Sequence, residues 1–509
     1  MMSFEHGKNT IVKTNKGLLR GFKYNDVYHY YGIKYADADR FMPPREVEAW
    51  EGVKEATNFG YICPNVQYNR IGNNVKNLHR FWPESEDCQY LNVWTKNINN
   101  DAKKPVLVWF HGGGFFDGSS LEHATYDGYS LCDYGDVVIV TLNHRLNVFG
   151  YLDLSDYGEE YKRSKNVGNL DLIAALQWVN KNIENFGGDK DNVTLFGQSG
   201  GGIKVISVMN MPSANGLFKA GFVMSGLEGT KGFSSHDTNN RELVKNTLEK
   251  LGITKDNFDD ILTIDSRILA KNYAIAYKEL GGEGVEYFGP TKSEDYIGEA
   301  FHNGFTEHAK NASLIIGSNF SEFTALPFKY DRNNMSEEEM VKAVEEFYGK
   351  EEADKVIHLF KETFPHNKLI DILSYDRKAM REVTLDYVKL RCNHGCAPTY
   401  NYHFNPIFKI NDGCTALHSS DIVFMFRNIE MVPSTYLGEG IAERLQHQMA
   451  DRLLNYAKSG NPQLDGEIEW PQSTKDEVKT MIFAEECKVK SNYDAELLEA
   501  MKDLKVIDK

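Results

Sequence analysis

Ser199 lies in a pattern that fits a nucleophilic serine. It is the centre of Gly197-Gln198-Ser199-Gly200-Gly201, which directly follows the apolar run VTLF. A sharp turn from strand to helix would lift the hydroxyl off the sheet edge, and flanking glycines avoid clashes in such a turn. The N-terminus of the following helix would favour negative charge on the reacting group. The same short pattern also fits an ordinary serine in a glycine-rich loop, or a turn that binds phosphate.

A second glycine-rich segment, His111-Gly112-Gly113-Gly114-Phe115, follows the apolar run VLVWF. Backbone N–H groups can surround a developing oxyanion only where side chains leave room for it. We therefore expect the N–H groups of Gly113, Gly114 and Gly200 to form an oxyanion hole. The alternative is a plain glycine-rich loop, but both motifs occur in the proper order and each follows an apolar run.

These segments need strands and helices to position them, and the chain has both. Short apolar runs, the first two of them rich in valine, favour strands that are buried on both faces of a parallel sheet. They are PVLVWF (105–110), DVVIVTL (136–142), NVTLFG (192–197), KAGFVMSG (219–226) and NASLIIGS (311–318). Apolar residues in 170–186 recur at spacings of three and four, which predicts an amphipathic helix. Strands that alternate with helices predict an α/β fold with a parallel sheet.

The rest of the chain contains no obvious linker or repeat, so we expect a single domain over residues 1–509. Polar, mostly helical stretches at about 230–310 and 325–395 are interpreted as insertions between core strands. The N-terminal segments IVKTNKGLLRGF and VYHYYGIKYA predict short strands. Near the C-terminus, IAERLQHQMADRLLNYAKSG predicts a long helix. EIEWPQS is expected to end the globular part, with a peripheral helix after it.

The long motifs together resemble the type-B carboxylesterase/lipase family, the α/β-hydrolase group that contains the cholinesterases and the bacterial para-nitrobenzyl-esterase-like carboxylesterases. The segments that carry the resemblance are GIKYA, RFMPP, SEDCQYLNVW, NHRLNVFGYL, GNLDLIAALQWVNKNIENFGGD and VTLFGQSGG. The resemblance implies a large central, mostly parallel, twisted sheet flanked by helices, with helical insertions that form a cap or gorge. It also implies a serine hydrolase of carboxylic esters.

The resemblance supplies the other two members of a catalytic triad. SLIIGSNFSEF matches a family segment whose Glu is the triad acid, which assigns that role to Glu322; Asp331 and Glu307 are the rival carboxylates. ALHSSDIVFMF matches the segment that carries the base, which is therefore His418. In this mechanism His418 takes the proton of Ser199, and an acyl-enzyme forms and is hydrolysed. Activity should fall in acid, because a protonated imidazole cannot act as a base.

Four further residues receive supporting roles. Ser225 has the spacing of a family serine that hydrogen-bonds near the triad acid, although it could also be a simple turn serine before Gly226. Asp421 is expected to be another buried carboxylate behind the site. His111 and His144 lie within motifs, and we expect them to shape loops and not to transfer protons.

The chain departs from the family at the nucleophile motif, which in relatives is most often G-E-S-A-G. Gln198 replaces a carboxylate here, and Gly200 replaces an alanine but still supplies an amide. The resemblance also implies the ion pairs Arg40–Glu86 and Arg145–Asp171 and a disulfide loop between Cys63 and Cys88. We expect that bridge to be open in a reducing compartment.

The expected substrates are small to medium neutral carboxylic esters in a gorge lined by aromatic residues. Cholinesterases hold a quaternary ammonium with a Trp at a position that is Leu78 here, so choline esters are not favoured, although Trp82 is nearby. No extended apolar lid for long triglycerides is evident. Hydrolysis of amides, carbamates or thioesters by the same residues, and a non-catalytic adhesion role, are the alternatives.

Composition excludes several partners. The 509 residues have a formal net charge of −16, which disfavours nucleic acid and anionic membranes. No apolar run approaches the ~20 residues of a membrane span, and the N-terminal residues lack a secretory signal, so we expect a cytoplasmic protein. A mature secreted chain whose signal has been removed is the alternative. Cys392 and Cys396 lack further ligands at a recognised spacing, so we expect no metal and no cofactor. We expect a monomer or a weak homo-oligomer.

Overall fold

The computed structural model describes residues 2–65, 80–227, 241–280, 289–327, 329–410 and 413–506. Leu78 and parts of both proposed insertions lie outside these ranges. The chain divides into two compact units. The first comprises Met1–Ser313 with Ala457–Asn461, and the second comprises Leu314–Tyr456 with Pro462–Lys509. That the whole chain is a single domain stays a prediction.

The first unit is built on a long sheet whose central strands are parallel. Its strands are β1 (Phe4–Glu5), β2 (Ile11–Lys13), β3 (Leu18–Arg20), β4 (Phe22–Tyr24), β5 (Val27–Lys34), β6 (Val53–Glu55), β7 (Tyr90–Thr95), β8 (Lys104–Phe110), β9 (Val138–Leu142), β10 (Gly188–Gln198) and β11 (Ala220–Met224). The sheet has the order β1-β4-β5-β7-β9-β8-β10-β11. Strands β9, β8, β10 and β11 pair in parallel, and the pairs from β1 to β9 are antiparallel. A small separate sheet contains β2, β3 and β6.

The parallel strands occur where the apolar runs predict them. Every residue of β9 and of β11 is buried, as expected for strands that are covered on both faces. Helices of the first unit are α1 (Tyr129–Gly135), α2 (Asn147–Tyr151), α3 (Val167–Asn182), α4 (Gly200–Met209), α5 (Arg241–Leu251), α6 (Ser266–Glu279), α7 (Ala300–Asn303) and α8 (Glu307–Asn311). The predicted amphipathic helix is α3, which continues into a short 3₁₀ turn at Ile183–Phe186.

Helix α4 lies inside the first unit, and none of its residues is exposed to solvent. All ten residues, GGGIKVISVM, are buried, although one of them is a lysine. A helix that is covered on all sides lies inside the core and not at its surface. Its N-terminus directly follows Ser199, so the nucleophile motif is fixed by one of the most enclosed parts of the unit.

The second unit contains strands β12 (Ser313–Asn319), β13 (Thr399–Phe404), β14 (Ile407–Phe408), β15 (Cys414–Thr415), β16 (Lys479–Phe483) and β17 (Lys488–Ser491). Its sheet has the order β12-β13-β16-β17, parallel except for the last pair. The helices are α9 (Glu337–Tyr348), α10 (Lys350–Thr363), α11 (Glu382–Asn393), α12 (Ile422–Met425), α13 (Ile441–Ser459) and α14 (Ala495–Met501). In the described ranges, none of the helices has the length and apolarity needed to cross a membrane.

The expectation that EIEWPQS ends the globular part is wrong. Trp470, within that segment, is fully buried. Strands β16 and β17 follow it, and β16 pairs in parallel with β13. Only after them comes α14, the helix predicted near the C-terminus.

Both ion pairs implied by the resemblance are present in the first unit. The Arg40 Nε lies 2.8 Å from a carboxylate oxygen of Glu86. Arg145 binds Asp171 with two nitrogens, at 2.7 and 2.8 Å, and both side chains are buried. A two-point contact of this kind satisfies a buried guanidinium and carboxylate together. Cys63 and Cys88 are free thiols, both buried.

Candidate active site

Ser199 occupies a strained turn between β10 and α4. Its φ of 56° and ψ of −127° are rare for a residue with a side chain. The turn is held by two backbone hydrogen bonds: the Ser199 N–H donates to Met224 O (2.8 Å), and the Ile203 N–H donates to Ser199 O (3.1 Å). Ser199 is partly exposed, whereas the residues on either side of it are buried. The hydroxyl-bearing residue is thus the accessible point of an enclosed turn.

The glycines around Ser199 are required by close backbone contacts. A Cβ on Gly201 would lie 1.9 Å from Phe110 O, and one on Gly197 would lie 2.4 Å from Gly201 O. Neither distance is compatible with a side chain. The sequence analysis expected these glycines to avoid clashes in the turn, and the contacts show which backbone atoms a side chain would meet.

The loop 111–115 packs directly against this turn. Gly113 and Gly114 have φ values of 83° and 64°, which favour glycine. A Cβ on Gly200 would lie 2.3 Å from both N and Cα of Gly114, so the two glycines touch through their backbones. Among the described residues, we find no protein acceptor for the N–H groups of Gly113, Gly114 and Gly200. These three donors therefore lie together beside Ser199 in the first unit.

Ser225 directly follows β11, next to the turn that carries Ser199. It is buried, with φ 47°, and its Oγ has no hydrogen-bond partner in the described part of the chain. The adjacent Gly226 packs under the nucleophile, because a Cβ there would lie 2.0 Å from Ser199 O. A hydrogen bond from Ser225 to the region of the acid stays a prediction.

His111 and His144 are buried in the first unit, with ring centroids 5.4 Å apart. His111 Nδ1 lies 2.9 Å from Gly112 O. Burial lowers the pKa of His111 to about 3, assisted by the positive charge of Lys204, and burial also lowers the pKa of His144. Both rings are therefore neutral near pH 7, in keeping with the expectation that they shape the loops around them.

Glu322 and His418 form the central pair of the second unit. The Nδ1 of His418 lies 2.5 Å from Glu322 Oε2, and the backbones are joined by the His418 N–H, which donates to Glu322 O (2.8 Å). The Glu322 side chain is 0 % exposed and that of His418 is 11 % exposed. An ionised carboxylate only accepts hydrogen bonds, so Nδ1 carries the proton and Nε2 carries the lone pair that a general base needs.

Asn319 is a residue of this site that sequence reasoning did not single out. Its N–H donates to Glu322 Oε1 (2.6 Å), and its Nδ2 donates to Leu417 O (2.8 Å). It thereby fixes the second carboxylate oxygen and the residue that precedes His418. The signal was available, because Asn319 lies within the segment SLIIGSNFSEF that assigned the acid.

The rival carboxylates have different surroundings. Asp331 is exposed and accepts hydrogen bonds from Asn333 and Asn334 in its own loop. Glu307 is also exposed and pairs with Lys310 on the surface. Neither has the burial of Glu322, which favours Glu322 as the partner of His418.

Asp421 is a fully buried carboxylate, as the sequence indicated. The hydroxyl of Tyr402 donates to its Oδ2 (2.7 Å). Burial raises the pKa of Asp421 to about 6, and the nearby charge of Glu322 acts in the same direction, while the hydrogen bond from Tyr402 opposes both. This carboxyl group therefore changes its charge close to neutral pH.

Lys204 was also missed from the sequence. It lies in α4 and is fully buried, and its Nζ donates to His111 O at 3.0 Å. A lysine within an otherwise apolar helical run is an unusual residue for a core position. That mismatch is the one signal that could have found it.

Comparisons with known proteins show which family the chain is similar to. Residues 8–501 match the Carboxylesterase family. The chain is 32% identical to the para-nitrobenzyl esterase of Bacillus subtilis, over 96% of this chain and 97% of that protein. It is 29% identical to bovine carboxylesterase 4A, over 93% of this chain and 91% of that protein.

A solved esterase from the anaerobe Clostridium hathewayi, described as able to hydrolyse aliphatic aromatic polyesters, superposes with a TM-score of 0.94 at 40% identity, over 99% of both chains. A carboxylesterase from Geobacillus stearothermophilus superposes with a TM-score of 0.72 at 29% identity, over 96% of this chain and 99% of the other. These relatives have the α/β-hydrolase fold, so the predicted fold class is confirmed.

Proposed function

The chain belongs to the carboxylesterase family and is a serine-type carboxylic-ester hydrolase, and from its site we propose that it cleaves small to medium neutral esters through Ser199, His418 and Glu322. The observation that carries the proposal is the strained turn at Ser199 beside three glycine N–H donors. The buried Glu322–His418 pair supports it from the second unit.

The proposed reaction has two similar halves. His418 Nε2 takes the proton of Ser199 as Oγ attacks the ester carbonyl, and the N–H groups of Gly113, Gly114 and Gly200 bind the oxyanion. His418 then gives the proton to the departing alcohol, which leaves an acyl-enzyme on Ser199. Water then attacks the acyl-enzyme with His418 again as the base, and the carboxylic acid leaves Ser199. Glu322 orients His418 and stabilises its charged form throughout.

The test is hydrolysis of p-nitrophenyl acetate, butyrate, octanoate and palmitate by the wild type and by Ser199→Ala. We expect turnover of the short esters by the wild type and nearly complete loss in the variant, with a burst of p-nitrophenol that equals one acyl group per enzyme. Ser213→Ala is the matched control, because Ser213 is exposed on a turn near the same helix. Equal activity of the wild type and Ser199→Ala would contradict the proposal.

Amides, carbamates and thioesters are alternative substrates for the same residues. Their hydrolysis is measured beside the esters with the matching p-nitroanilide, carbamate and thioester of the preferred acyl group. A value of kcat/KM for one of these classes above that for the ester would reassign the substrate while leaving the roles of Ser199 and His418 in place.

Polyester hydrolysis is a second candidate function. The observation that favours it is the likeness to the Clostridium hathewayi esterase, with a TM-score of 0.94. The test is release of the aromatic diacid from an aliphatic aromatic polyester film. Release by the wild type but not by Ser199→Ala supports this function, and activity on soluble esters without any release from the film excludes it.

A further inference from the structure

Lys204 is a charged side chain in a place where a charge is costly. It is the fifth residue of α4 and is 0 % exposed. Removing an ammonium group from water is unfavourable unless hydrogen bonds replace the lost hydration. The proposed mechanism gives Lys204 no step, so its retention in the core of this helix requires another account.

The contacts of Lys204 all point to the loop 111–115. Its Nζ donates to His111 O at 3.0 Å and lies 3.5 Å from Gly112 O, at the long end of a hydrogen bond. It also lies 5.9 Å from the centre of the Phe115 ring, within the range of a cation–π contact. The side chain therefore connects α4, whose first residue is Gly200, with the loop that carries Gly113 and Gly114.

The planarity of the peptide bond makes this connection relevant to the oxyanion hole. The carbonyl of Gly112 and the N–H of Gly113 belong to one trans peptide unit and point in opposite directions. A group that attracts the Gly112 carbonyl therefore directs the Gly113 N–H to the opposite side. Gly112 and Gly113 have no side chains of their own to fix this peptide plane, and glycine loses more conformational freedom than other residues when it is fixed. The Gly112 carbonyl is therefore held from outside by two side chains, His111 Nδ1 at 2.9 Å and Lys204 Nζ at 3.5 Å.

We propose that Lys204 is a positioning residue that holds the peptides of the oxyanion loop from the helix that follows the nucleophile, so that the Gly113 N–H keeps the direction needed to bind the oxyanion. The proposal rests on the proposed function. It extends that function by assigning a determinant of the oxyanion hole that lies outside the triad and outside the three donors.

The charge of Lys204 depends on groups on several neighbouring segments. They are Glu122 and Asp117 in the segment after the oxyanion loop, Cys63, His111 and His144. Burial lowers the pKa of Lys204 to about 7, and Glu122 and Asp117 oppose this shift. A charged donor forms a stronger hydrogen bond than a neutral one. The contact to His111 O is therefore strongest below about pH 7 and weaker, though still present, in the neutral amine.

The test compares Lys204→Met with the wild type in hydrolysis of p-nitrophenyl butyrate and in inhibition by an alkyl trifluoromethyl ketone, whose adduct with Ser199 places an oxyanion in the hole. Loss of one oxyanion donor reduces kcat by about 10²–10³. For a misdirected donor we expect kcat to fall on the order of 10- to 100-fold, with KM within about twofold. The Ki of the ketone should rise by the same factor as kcat/KM falls. Lys271→Met on the exposed face of α6 is the control.

Lys204→Arg keeps the test decisive if the methionine variant does not fold. A guanidinium stays charged at all accessible pH values, whereas the lysine loses its charge near pH 7. The ratio of wild-type to Lys204→Arg activity should therefore decline as pH rises from about 6 to about 8, a comparison in which the ionisation of His418 cancels.

Three results would overturn the proposal. They are a folded Lys204→Met with kcat and Ki within about twofold of the wild type, a loss of melting temperature without a loss of kcat, and a constant activity ratio for Lys204→Arg across the pH range. Failure of the function itself has a different signature. The wild type would then show no turnover that depends on Ser199, and the role of Lys204 would fall with it.

Discussion

Both oxygens of the Glu322 carboxylate are engaged by groups that fix its direction. Oε1 accepts from the Asn319 N–H at 2.6 Å, and Oε2 faces His418 Nδ1 at 2.5 Å. An ionised carboxylate can accept both hydrogen bonds, whereas an amide has one acceptor and one donor end. The identity of this residue therefore controls which nitrogen of His418 carries the proton.

We predict that Glu322→Gln reduces kcat by about 10³–10⁴, since the comparable change in a Ser-His-Asp triad costs about 10⁴ through the wrong imidazole tautomer. The amide oxygen can still accept from the Asn319 N–H, but its NH₂ group then donates to His418 Nδ1 and leaves the imidazole proton on Nε2. Steady-state hydrolysis of p-nitrophenyl butyrate measures the effect, with Glu307→Gln at the exposed rival position as control. A loss of less than about tenfold in Glu322→Gln, or an equal loss in Glu307→Gln, would show that the acid is assigned wrongly.

Asp421 predicts a pH dependence of stability. Its pKa is raised from 3.8 to about 6 by burial, so between these values the folded state binds more protons than the unfolded state. Stability should then fall as pH rises through this window, by an amount on the order of 2–3 kcal/mol. Asp421→Asn cannot ionise, so its free energy of unfolding should rise relative to the wild type from about pH 4 to about pH 6.

Urea denaturation at several pH values measures this difference. Asp354→Asn is a suitable control, because Asp354 is exposed on α10. Parallel stability curves for the wild type and Asp421→Asn would mean that the carboxyl group is either protonated or ionised over the whole window, and the account of its burial would be wrong.

Individual site residues could be predicted from the sequence where a short local motif marks them. Ser199 is recognisable from its glycines and Glu322 from its segment, and the structure brings Glu322 to His418. Lys204 could not be found in the same way, because its sequence neighbours Ile203 and Val205 indicate an apolar helix but not which groups its ammonium contacts. Which loop its ammonium meets depends on how α4 packs against β8, which is a property of the tertiary structure.

The turn at Ser199 and the loop at Gly113 show how elements position the site. Strands β8 and β10 pair in parallel from Val106 to Phe110 and from Val193 to Gly197, so both motifs begin at the same sheet edge. The backbone of Gly200 then touches that of Gly114. A Cβ at position 200 would overlap Gly114, so this chain packs the two segments more closely than an alanine would permit.

We predict that Gly200→Ala lowers both stability and activity. The new Cβ would lie 2.3 Å from Gly114 Cα, so the loop must move, and overpacking of this kind typically costs about 1–3 kcal/mol. Displacement of two oxyanion donors should reduce kcat on the order of tenfold or more. Thermal unfolding and p-nitrophenyl butyrate hydrolysis measure the two effects.

Gly7→Ala is the control for Gly200→Ala, because nothing lies within 4 Å of a Cβ at Gly7 and its φ of 179° is open to any residue. Full activity of Gly200→Ala would mean that the loop adjusts without cost. The account of close packing between Gly200 and Gly114 would then fail.

Strands and helices were predictable where burial imposes a pattern. The apolar runs became β8, β9, β10, β11 and β12 because strands covered on both faces need continuous apolar residues. Strand β17, KVKS, carries two lysines and none of its residues is fully buried. Charged residues on a terminal strand discourage pairing with other chains, so such a strand has no apolar signature to detect. This explains why β17 was missed, whereas β16, in which every residue after Lys479 is buried, has an apolar run that could have indicated a strand.

At the scale of the whole molecule, the order of motifs along the chain predicted the α/β-hydrolase fold better than composition did. Net charge and apolar content are compatible with many globular folds. Two glycine-rich motifs, each at the end of a buried strand, restrict the choice much further, because parallel strands need helical crossovers between them. The division into two compact units was not evident from the sequence. The composition does not change near residue 313, and no linker-like segment occurs there.

The net charge of −16 predicts how the whole enzyme treats charged substrates. A negatively charged protein repels an anionic ester during its approach, and salt weakens this repulsion by shortening the Debye length from about 30 Å at 0.01 M to about 3 Å at 1 M. For p-nitrophenyl hydrogen adipate we expect kcat/KM to be lower than for the equally long hexanoate at low salt. It should rise several-fold over this salt range, while hexanoate hydrolysis changes little. A rate on adipate that falls with salt would instead indicate attraction by a local positive field, and the preference for neutral esters would have to be abandoned.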